Sequence, residues 1–99
     1  MIITQLIYIK PGAETLFDQF EAIAIPLIAK HNGKLLLRIR PDKTSILESN
    51  IPAPYEVHMV EFPSEHDFES FMQDPERQKH LSLKEQAIQS AVLIKGATL

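Results

Sequence analysis

The sequence predicts an α+β fold in which four antiparallel strands form one sheet and helices cover one face of it. Four short segments are rich in β-branched and apolar residues, which is typical of strands. Two longer segments between them place apolar residues at three- and four-residue steps, the period of one helix face. The resulting order is βαββαβ, and two such halves with right-handed crossovers give the ferredoxin-like arrangement. We therefore expect residues 1–99 to form a single domain of this type.

The first strand and the first helix follow each other directly. The segment Ile2–Ile9 can be apolar on both faces of a strand, and "KPG" ends it at Gly12. The helix after it continues through Pro26, because its apolar period does not stop there, and Asn32 or Gly33 ends it in the left-handed conformation. Its buried face is predicted to be Leu16, Phe17, Phe20, Ile23, Ala24, Leu27 and Ile28, and its solvent face Glu14, Asp18 and Glu21.

The second and third strands enclose a loop that is rich in turn residues. Strand two is predicted at Lys34–Arg40 and strand three at Tyr55–Phe62. The loop Pro41–Pro54 between them is predicted to contain a short extended piece at Thr44–Leu47. Strict alternation along strand two directs Leu35, Leu37 and Ile39 toward the helices, and Leu36, Arg38 and Arg40 away from them.

Capping residues indicate the remaining helices and the last strand. Ser64 is a good N-cap, and Asp74 with Pro75 ends that helix and begins another helical turn. The segment Ser82–Glu85 has the spacing of a capping box, which predicts that the helix restarts there. The last strand is predicted at Ser90–Leu99.

Composition and charge exclude several classes of function. The chain has no cysteine, which excludes disulfides, thiolate catalysis and cysteine-ligated metals and fits a cytoplasmic location. Its net charge is −3 and no basic block occurs, which argues against nucleic acid as a partner. No apolar run resembles a signal peptide or a membrane span. No glycine-rich phosphate loop is present, and no cofactor is predicted.

Both faces of the predicted sheet are apolar, which indicates a homodimer. In strand one, Ile3 and Ile7 lie on one face while Ile2 and Leu6 lie on the other. The helices can cover one face only, and no further element of the chain remains for the second. A second copy packed sheet to sheet is the simplest cover, so we expect a homodimer with twofold symmetry.

Several motifs resemble those of the dimeric α/β-barrel superfamily. The more specific motif is Glu61-Phe62-Pro63-Ser64 followed by Asp74-Pro75-Glu76, accompanied by "HNGKLLLR" and "LIKG". Within the superfamily the chain is similar to a family of small uncharacterised bacterial domains. Its first half is also similar to NIPSNAP-type domains, which share the proline within the first helix and the "HG-K" turn. Asn32, Phe71-Met72 and Arg77 depart from the bacterial pattern, in which Gly, Trp-Tyr and Tyr are usual.

This resemblance implies a ferredoxin-like dimer and leaves several activities open. The superfamily includes cofactor-free monooxygenases, muconolactone isomerases, haem-dependent members and pure binding modules. For this chain the resemblance implies a cofactor-free monooxygenase- or isomerase-like enzyme, or a binder of a small anionic or oxygenated ligand. The alternative is a non-catalytic dimerisation or interaction module.

Arg38 and Arg40 are the first candidate ligand-binding residues. They share one face of strand two and lie about 7 Å apart, from the rise per residue of a strand. Two guanidinium groups can hold a carboxylate or a phosphate by paired hydrogen bonds. The alternatives are charges on a solvated strand edge, or ion pairs with Glu56 or Glu61 across the sheet.

His58 is the candidate catalytic residue. It alternates with Glu56 and Val60 in strand three. Where this even-numbered set faces a cavity, His58 can act as a general base or an orienting donor near Arg38. The alternatives are a buried, hydrogen-bonded histidine and a histidine at the dimer interface.

Tyr8 and His80 are further candidate ligand contacts. A phenol at a cavity mouth can orient a polar ligand, and His80 follows helix two in a segment that often closes a pocket. The alternatives are a core or interface tyrosine and a surface histidine. No histidine pair has metal-binding spacing, so no metal site is predicted. A ligand site requires a cavity of roughly a few hundred Å³ lined by two or more of these polar groups.

Overall fold

Four strands form one antiparallel sheet in the order β2-β3-β1-β4 in the computed structural model, which describes residues 1–99. The strands are β1 (Ile2–Ile9), β2 (Lys34–Ile39), β3 (Glu56–Glu61) and β4 (Ile88–Gly96). The α-helices are α1 (Glu14–Lys30), α2 (Glu65–Met72), α3 (Pro75–Lys79) and α4 (Leu81–Ala87). The predicted α+β ferredoxin-like fold is therefore confirmed.

Local capping signals position most of the helix ends. Asn32 adopts a φ of 64°, the left-handed conformation predicted for the end of α1, which runs through Pro26. The Ser64 side chain accepts a hydrogen bond from the Asp67 backbone N–H at the start of α2. Asp74 caps α3 in the same way, with Pro75 at the first helical position.

Several boundaries differ from the prediction; β2 and β3 are shorter by one residue at Arg40, Tyr55 and Phe62, and β4 ends at Gly96 rather than Leu99. Three further differences have a local cause. The segment Thr44–Leu47 does not begin as an extended piece, because the Asp42 side chain caps a short 3₁₀ turn at Lys43–Ser45. The Ser82–Glu85 capping box is absent, since α4 begins at Leu81 without a side-chain cap. β4 starts at Ile88 rather than Ser90, because α4 passes directly into the strand without a loop.

The core lies between the sheet and the helices in two clusters. One joins Ile3, Ile28, Val60, Phe62 and Phe68, and the other joins Ile7, Ala13, Phe17 and Ala87. At the turn between α1 and β2, a Cβ on Gly33 would lie 2.6 Å from the Phe62 ring and 2.7 Å from the Ile28 side chain. Only glycine fits there, so the close approach of α1 to β3 depends on this residue.

A β-bulge in β2 reverses the faces that strict alternation predicts. Leu35 pairs with Val60, but the register shifts at the next residue, and Leu37 pairs with Met59. The extra residue moves Leu37 and Ile39 to the face away from the helices and brings Arg38 to the helix side. Arg40 lies on the helix side as well, since it donates to Asp18 of α1. The predicted inward orientation of Leu37 and Ile39 and the predicted outward orientation of Arg38 and Arg40 are therefore wrong.

The sheet surface away from the helices, called the open face below, is apolar. In register order across the four strands it consists of Leu37 and Ile39, Met59 and Val57, Thr4 and Leu6, and Ile94 and Val92. The two β2 residues and the two β4 residues of this surface are 43% to 50% exposed. No element of the chain covers them.

None of the helices combines the length and the apolar character needed to cross a membrane.

Candidate functional site

Glu56 is the centre of a buried charge cluster at the start of β3. Its side chain is fully buried and accepts hydrogen bonds from Arg38 Nε at 3.0 Å and from Arg40 Nε at 2.6 Å. His58 Nε2 forms a third hydrogen bond with the same carboxylate. Burial by itself would raise the pKa of Glu56, but the bonds from Arg40, Arg38 and His58 outweigh it and lower the pKa. Glu56 is thus held ionised inside the protein.

Arg40 anchors this cluster to α1. Its guanidinium donates to Asp18 at 2.6 Å as well as to Glu56, and it lies 4.9 Å from the centre of the Tyr55 ring. The hydrogen bond to Glu56 raises the pKa of Arg40 further. β2, β3 and α1 are joined by these contacts, so the cluster also ties the sheet to the first helix.

His58 connects the Glu56 cluster to a cavity. It is 6% exposed, and burial lowers the pKa of its imidazole although Glu56 acts in the opposite direction. The ionised Glu56 carboxylate can only accept a hydrogen bond, so Nε2 of the neutral His58 ring must donate to it. The ring therefore carries its proton on Nε2 and its lone pair on Nδ1. Nδ1 lies 3.9 Å from the nearer carboxyl oxygen of Glu21. A hydrogen bond spans about 2.8 Å, so one ligand atom can reach both groups.

Glu21 is the second carboxyl group at this imidazole. It is 7% exposed, whereas the sequence pattern had assigned it to the solvent side of α1, so that assignment was wrong. Burial, followed by the negative charge of Glu56, raises the pKa of Glu21 to about 7. Glu21 makes no hydrogen bond within the protein that would hold its charge, and it therefore exchanges a proton in the neutral range.

The cavity between the sheet and the helices has a volume of about 90 Å³. Thirteen of its eighteen lining residues are hydrophobic, and its polar lining consists of Gln5, Glu21, His58, Arg77 and Lys84. Ala91 of β4 also lines it and is exposed to solvent, which places an opening beside that strand. The volume is smaller than the few hundred Å³ expected, so the cavity accommodates a small molecule or one end of a larger molecule.

Arg77 and Lys84 bring two positive charges to the cavity from α3 and α4. Arg77 is 7% exposed, and its Nη1 donates to the Met72 carbonyl at 3.2 Å. Its Nε is buried and has no hydrogen-bond partner. Burial lowers the pKa of both side chains, and the proximity of Arg77 lowers that of Lys84 further.

The structure brings together some of the predicted site residues and separates others. His58 lines the cavity, whereas Arg38 and Arg40 lie behind it and pair with Glu56, which was the alternative considered for them. Tyr8 lies at the other face of the sheet and donates to the Pro52 carbonyl at 2.8 Å. His80 lies at the end of α3, with Nδ1 2.9 Å from the Glu76 carbonyl, and does not line the cavity.

The sequence pattern did not identify Glu21, Arg77 or Lys84 as site residues. Only the position of Glu21 in its helix could have indicated that the side chain is buried. Glu21 lies four residues after Phe17 and seven before Ile28, in the middle of the apolar stripe of α1. The short helices α3 and α4 have no comparable period, so nothing in the sequence indicated which of their charges turn inward.

Glu21, Glu56 and His58 also form a set that could hold a metal ion. One ligand atom from each lies within 4.8 Å of the other two, and carboxylate with imidazole suits zinc. However, Glu56 already accepts three hydrogen bonds, and the guanidinium groups of Arg38 and Arg40 would repel a divalent cation. The charges around this set therefore favour an anion over a cation.

Comparison with known families places this geometry in context. The family described as "Domain of unknown function (DUF1330)" matches residues 3–97. The chain belongs to the DUF1330 family. This confirms the predicted similarity to a family of small uncharacterised domains. No curated protein matches this DUF1330 chain by sequence.

Solved structures similar to the DUF1330 chain share its fold. The methylated RPA0582 protein, whose source is Rhodopseudomonas palustris, is 17% identical with a TM-score of 0.82, covering 99% of this chain and 79% of that one. A NIPSNAP family protein of unknown function from Agrobacterium tumefaciens is 20% identical with a TM-score of 0.69, covering 94% and 82%. An uncharacterised NIPSNAP domain protein from Burkholderia xenovorans is 11% identical with a TM-score of 0.66, covering 98% and 95%. At these identities the likeness establishes the fold alone.

Proposed function

We propose that this DUF1330 protein is a small isomerase-like enzyme that moves a proton within an oxygenated ligand held in the cavity. The observation that supports the proposal is the position of His58 between an ionised carboxylate, Glu56, and a protonatable carboxyl, Glu21. Neighbouring groups whose environments push their pKa values apart are typical of acid–base catalysis.

The three residues have different tasks in this proposal. Glu56 does not line the cavity, so it acts as a positioning residue that fixes the imidazole tautomer. His58 presents the Nδ1 lone pair to the ligand as the base. Glu21 presents a carboxylic O–H as the acid, because its pKa of about 7 keeps much of it protonated at neutral pH.

The proton inventory of such a reaction balances within the chain. His58 removes a proton from the carbon beside a carbonyl group while Glu21 donates its proton to the carbonyl oxygen, which forms an enol. In a β,γ-unsaturated carbonyl compound the imidazolium then returns its proton to the γ carbon, and the enol O–H proton returns to Glu21. The ligand has been isomerised, and both side chains are back in their starting states. Oxygenation would require dioxygen in addition, so isomerisation is the simpler activity for these groups.

Exchange of carbon-bound hydrogen for deuterium tests this activity without knowledge of the substrate. We expect the protein in deuterated water to accelerate exchange beside the carbonyl of some members of a panel of small neutral and acidic carbonyl compounds, observed by proton NMR. His58→Gln and Glu21→Gln should each reduce the rate by roughly 100-fold. Lys79→Gln, an exposed change on α3, should leave it intact. Absence of any catalysed exchange, or equal exchange in the His58 variant, would contradict the proposal.

The open face supports a second proposal, that two copies associate through their sheets. One apolar row runs across all four strands, the other is interrupted only by Thr4, and large side chains on both edge strands are nearly half exposed. Burial of such a surface is favourable, and a monomer rarely leaves it in water. The same association would serve a non-catalytic interaction module, so it does not depend on the enzyme proposal.

Sedimentation velocity at micromolar concentration tests the association. We expect the native chain to sediment as a dimer and Leu37→Glu, on the open face, to sediment as a monomer. Leu47→Glu provides the matched control, because Leu47 is 93% exposed in the loop after β2 and should tolerate charge. A native monomer at this concentration, or an unaffected Leu37 variant, would refute the proposal.

A further inference from the structure

We infer that the cavity binds a small carboxylate or another monoanion of similar size, with Arg77 and Lys84 as its cationic contacts. This inference deepens the proposed function and uses the same cavity, because it names the chemical class of the ligand. It rests on the placement and the unmet hydrogen-bonding capacity of these two side chains.

The free edge of the Arg77 guanidinium is the main observation. Nη1 is occupied by the Met72 carbonyl, while Nε is buried without an acceptor, and the opposite Nε–Nη2 edge makes no hydrogen bond within the protein. That edge is the fork that binds a carboxylate through two parallel hydrogen bonds. A buried donor without a partner is unfavourable, so a native site of this kind calls for an explanation. A bound anion supplies the missing acceptor.

The Arg77 side chain is also held firmly in place. The guanidinium carbon lies 5.7 Å from the centre of the Phe20 ring and 5.4 Å from the centre of the Phe71 ring. The bond to Met72 ties the group to the end of α2. The guanidinium is therefore held in place beside the cavity, with one edge that has no partner within the protein.

Arg77 and Lys84 are the least exposed lysine and arginine residues of the protein, and they have no carboxylate partner, whereas several more exposed cations do. Arg38 and Arg40 pair with Glu56, and Lys30 pairs with Asp74 at 2.7 Å. Arg77 and Lys84 line the same cavity and form no ion pair with any carboxylate of the chain. Glu21 acts on both through its charge but does not contact either as an ion pair. The chain thus leaves room for a negative group from outside.

The charge of the cavity lining selects a single negative charge. Arg77 and Lys84 contribute two positive charges, His58 is neutral, and Glu21 contributes one negative charge or none according to its proton. The lining therefore carries a net charge between +1 and +2, which one monoanion neutralises. The same net positive charge would repel a divalent cation.

The size of the cavity restricts the ligand. A volume of about 90 Å³ lies well below the few hundred Å³ of typical ligand pockets. A small acid such as acetate is therefore a suitable probe. A longer acid would place its carboxylate here and extend past Ala91 through the opening beside β4. The atoms next to the carboxylate would then lie near His58 and Glu21.

Acetate is the probe for this site, with acetamide as its neutral counterpart. We expect acetate to raise the melting temperature of the native protein in a saturable way at constant ionic strength, and acetamide to have no such effect. Arg77→Gln and Lys84→Gln should each weaken acetate binding by at least about tenfold. Lys79→Gln removes one positive charge from an exposed position on α3 and should leave binding unchanged.

The inference is overturned by equal acetate binding in the Arg77 and Lys84 variants, or by equal stabilisation with acetamide. It is also overturned where zinc or manganese stabilises the protein and acetate does not. A circular dichroism spectrum establishes that each variant is folded, and Lys84→Gln, which changes a half-buried side chain, provides the decisive result where Arg77→Gln does not fold. Acetate binding without deuterium exchange would refute the proposed enzyme alone, and exchange without anion selectivity would refute this inference alone.

Discussion

Glu56 and Glu21 approach the same imidazole from opposite sides, and their surroundings differ in almost every respect. Glu56 is fully buried in a strand and accepts hydrogen bonds from two arginines and His58. Glu21 is almost as deeply buried in a helix, yet the cations on its side of the cavity stay unpaired. The two side chains are nearly equally buried. The hydrogen bonds that Glu56 accepts lower its pKa, whereas Glu21 has no such partners and its pKa rises to about 7.

The difference separates a structural role from a chemical one. A satisfied cluster such as that of Glu56 stabilises one arrangement of β2, β3 and α1, and it offers little capacity for a ligand. The group formed by Glu21, Arg77 and Lys84 retains unused donors and a titratable proton, which are the properties a binding or catalytic site requires. The predictions that follow test whether the two sides of the imidazole behave in these different ways.

The largest effect is expected from Glu56→Gln. The change removes the buried carboxylate that accepts from Arg38, Arg40 and His58, and the loss of these charge-assisted hydrogen bonds should cost about 2 kcal/mol of unfolding free energy, since both arginines are partly exposed and can be hydrated afterwards. Urea denaturation at neutral pH measures it. Glu61→Gln, an exposed change on the same strand, is the control and should cost less than about 0.5 kcal/mol. Similar losses in the two variants would show that the cluster does not stabilise the fold.

A smaller effect with a distinct pH dependence is expected from Glu21→Gln. The folded pKa of about 7 lies above the ordinary value of 4.5, so the folded state binds the extra proton between these values. This contribution is fully present below pH 4.5 and is lost as the pH rises through 7, by up to about 3 kcal/mol. The variant should lose this decline and should therefore gain stability relative to the native protein at pH 8.

Denaturation curves at pH 5 and pH 8 measure this difference. Glu14→Gln removes an exposed carboxyl from the same helix and should leave the decline in place. If the native protein and the Glu21 variant show the same change between the two pH values, Glu21 is ionised in the native state and the comparison with Glu56 fails.

The smallest effect is expected from Lys95→Gln at the sheet edge. Lys95 contacts Glu65 at 2.7 Å, but both side chains are about half exposed. Water and salt screen such a pair, so its loss should change the unfolding free energy by less than about 0.5 kcal/mol. Urea denaturation at low and high salt measures it. A loss as large as that of Glu56→Gln would mean that ion-pair energies in this protein do not follow burial.

The fold was predictable because its signals are local. The turn at Asn32 and the caps at Ser64 and Asp74 each depend on a few neighbouring residues, and the structure confirms all three. The order of strands and helices then followed from connection rules that apply to many proteins.

The candidate site was only partly predictable because its arrangement depends on tertiary contacts. His58 was singled out by its position in β3, and its catalytic role stays a prediction. Glu21 was placed on the solvent side because it is charged, although its spacing from Phe17 put it in the apolar stripe. Arg77 and Lys84 turn inward because α3 and α4 pack against α1, and no short-range pattern in the sequence records that packing.

The bulge at Leu36 links the two surfaces of the sheet in a way that constrains how the protein can change. One inserted residue reverses the alternation of β2, which places Arg38 on the helix side of the sheet and Leu37 with Ile39 on the open face. A deletion at this point would remove the cation beside Glu56 and the apolar residues of the open face in one event. A register change in β2 therefore cannot remove the arginine on the helix side without also removing the apolar residues on the open face, so the two properties of this strand change together.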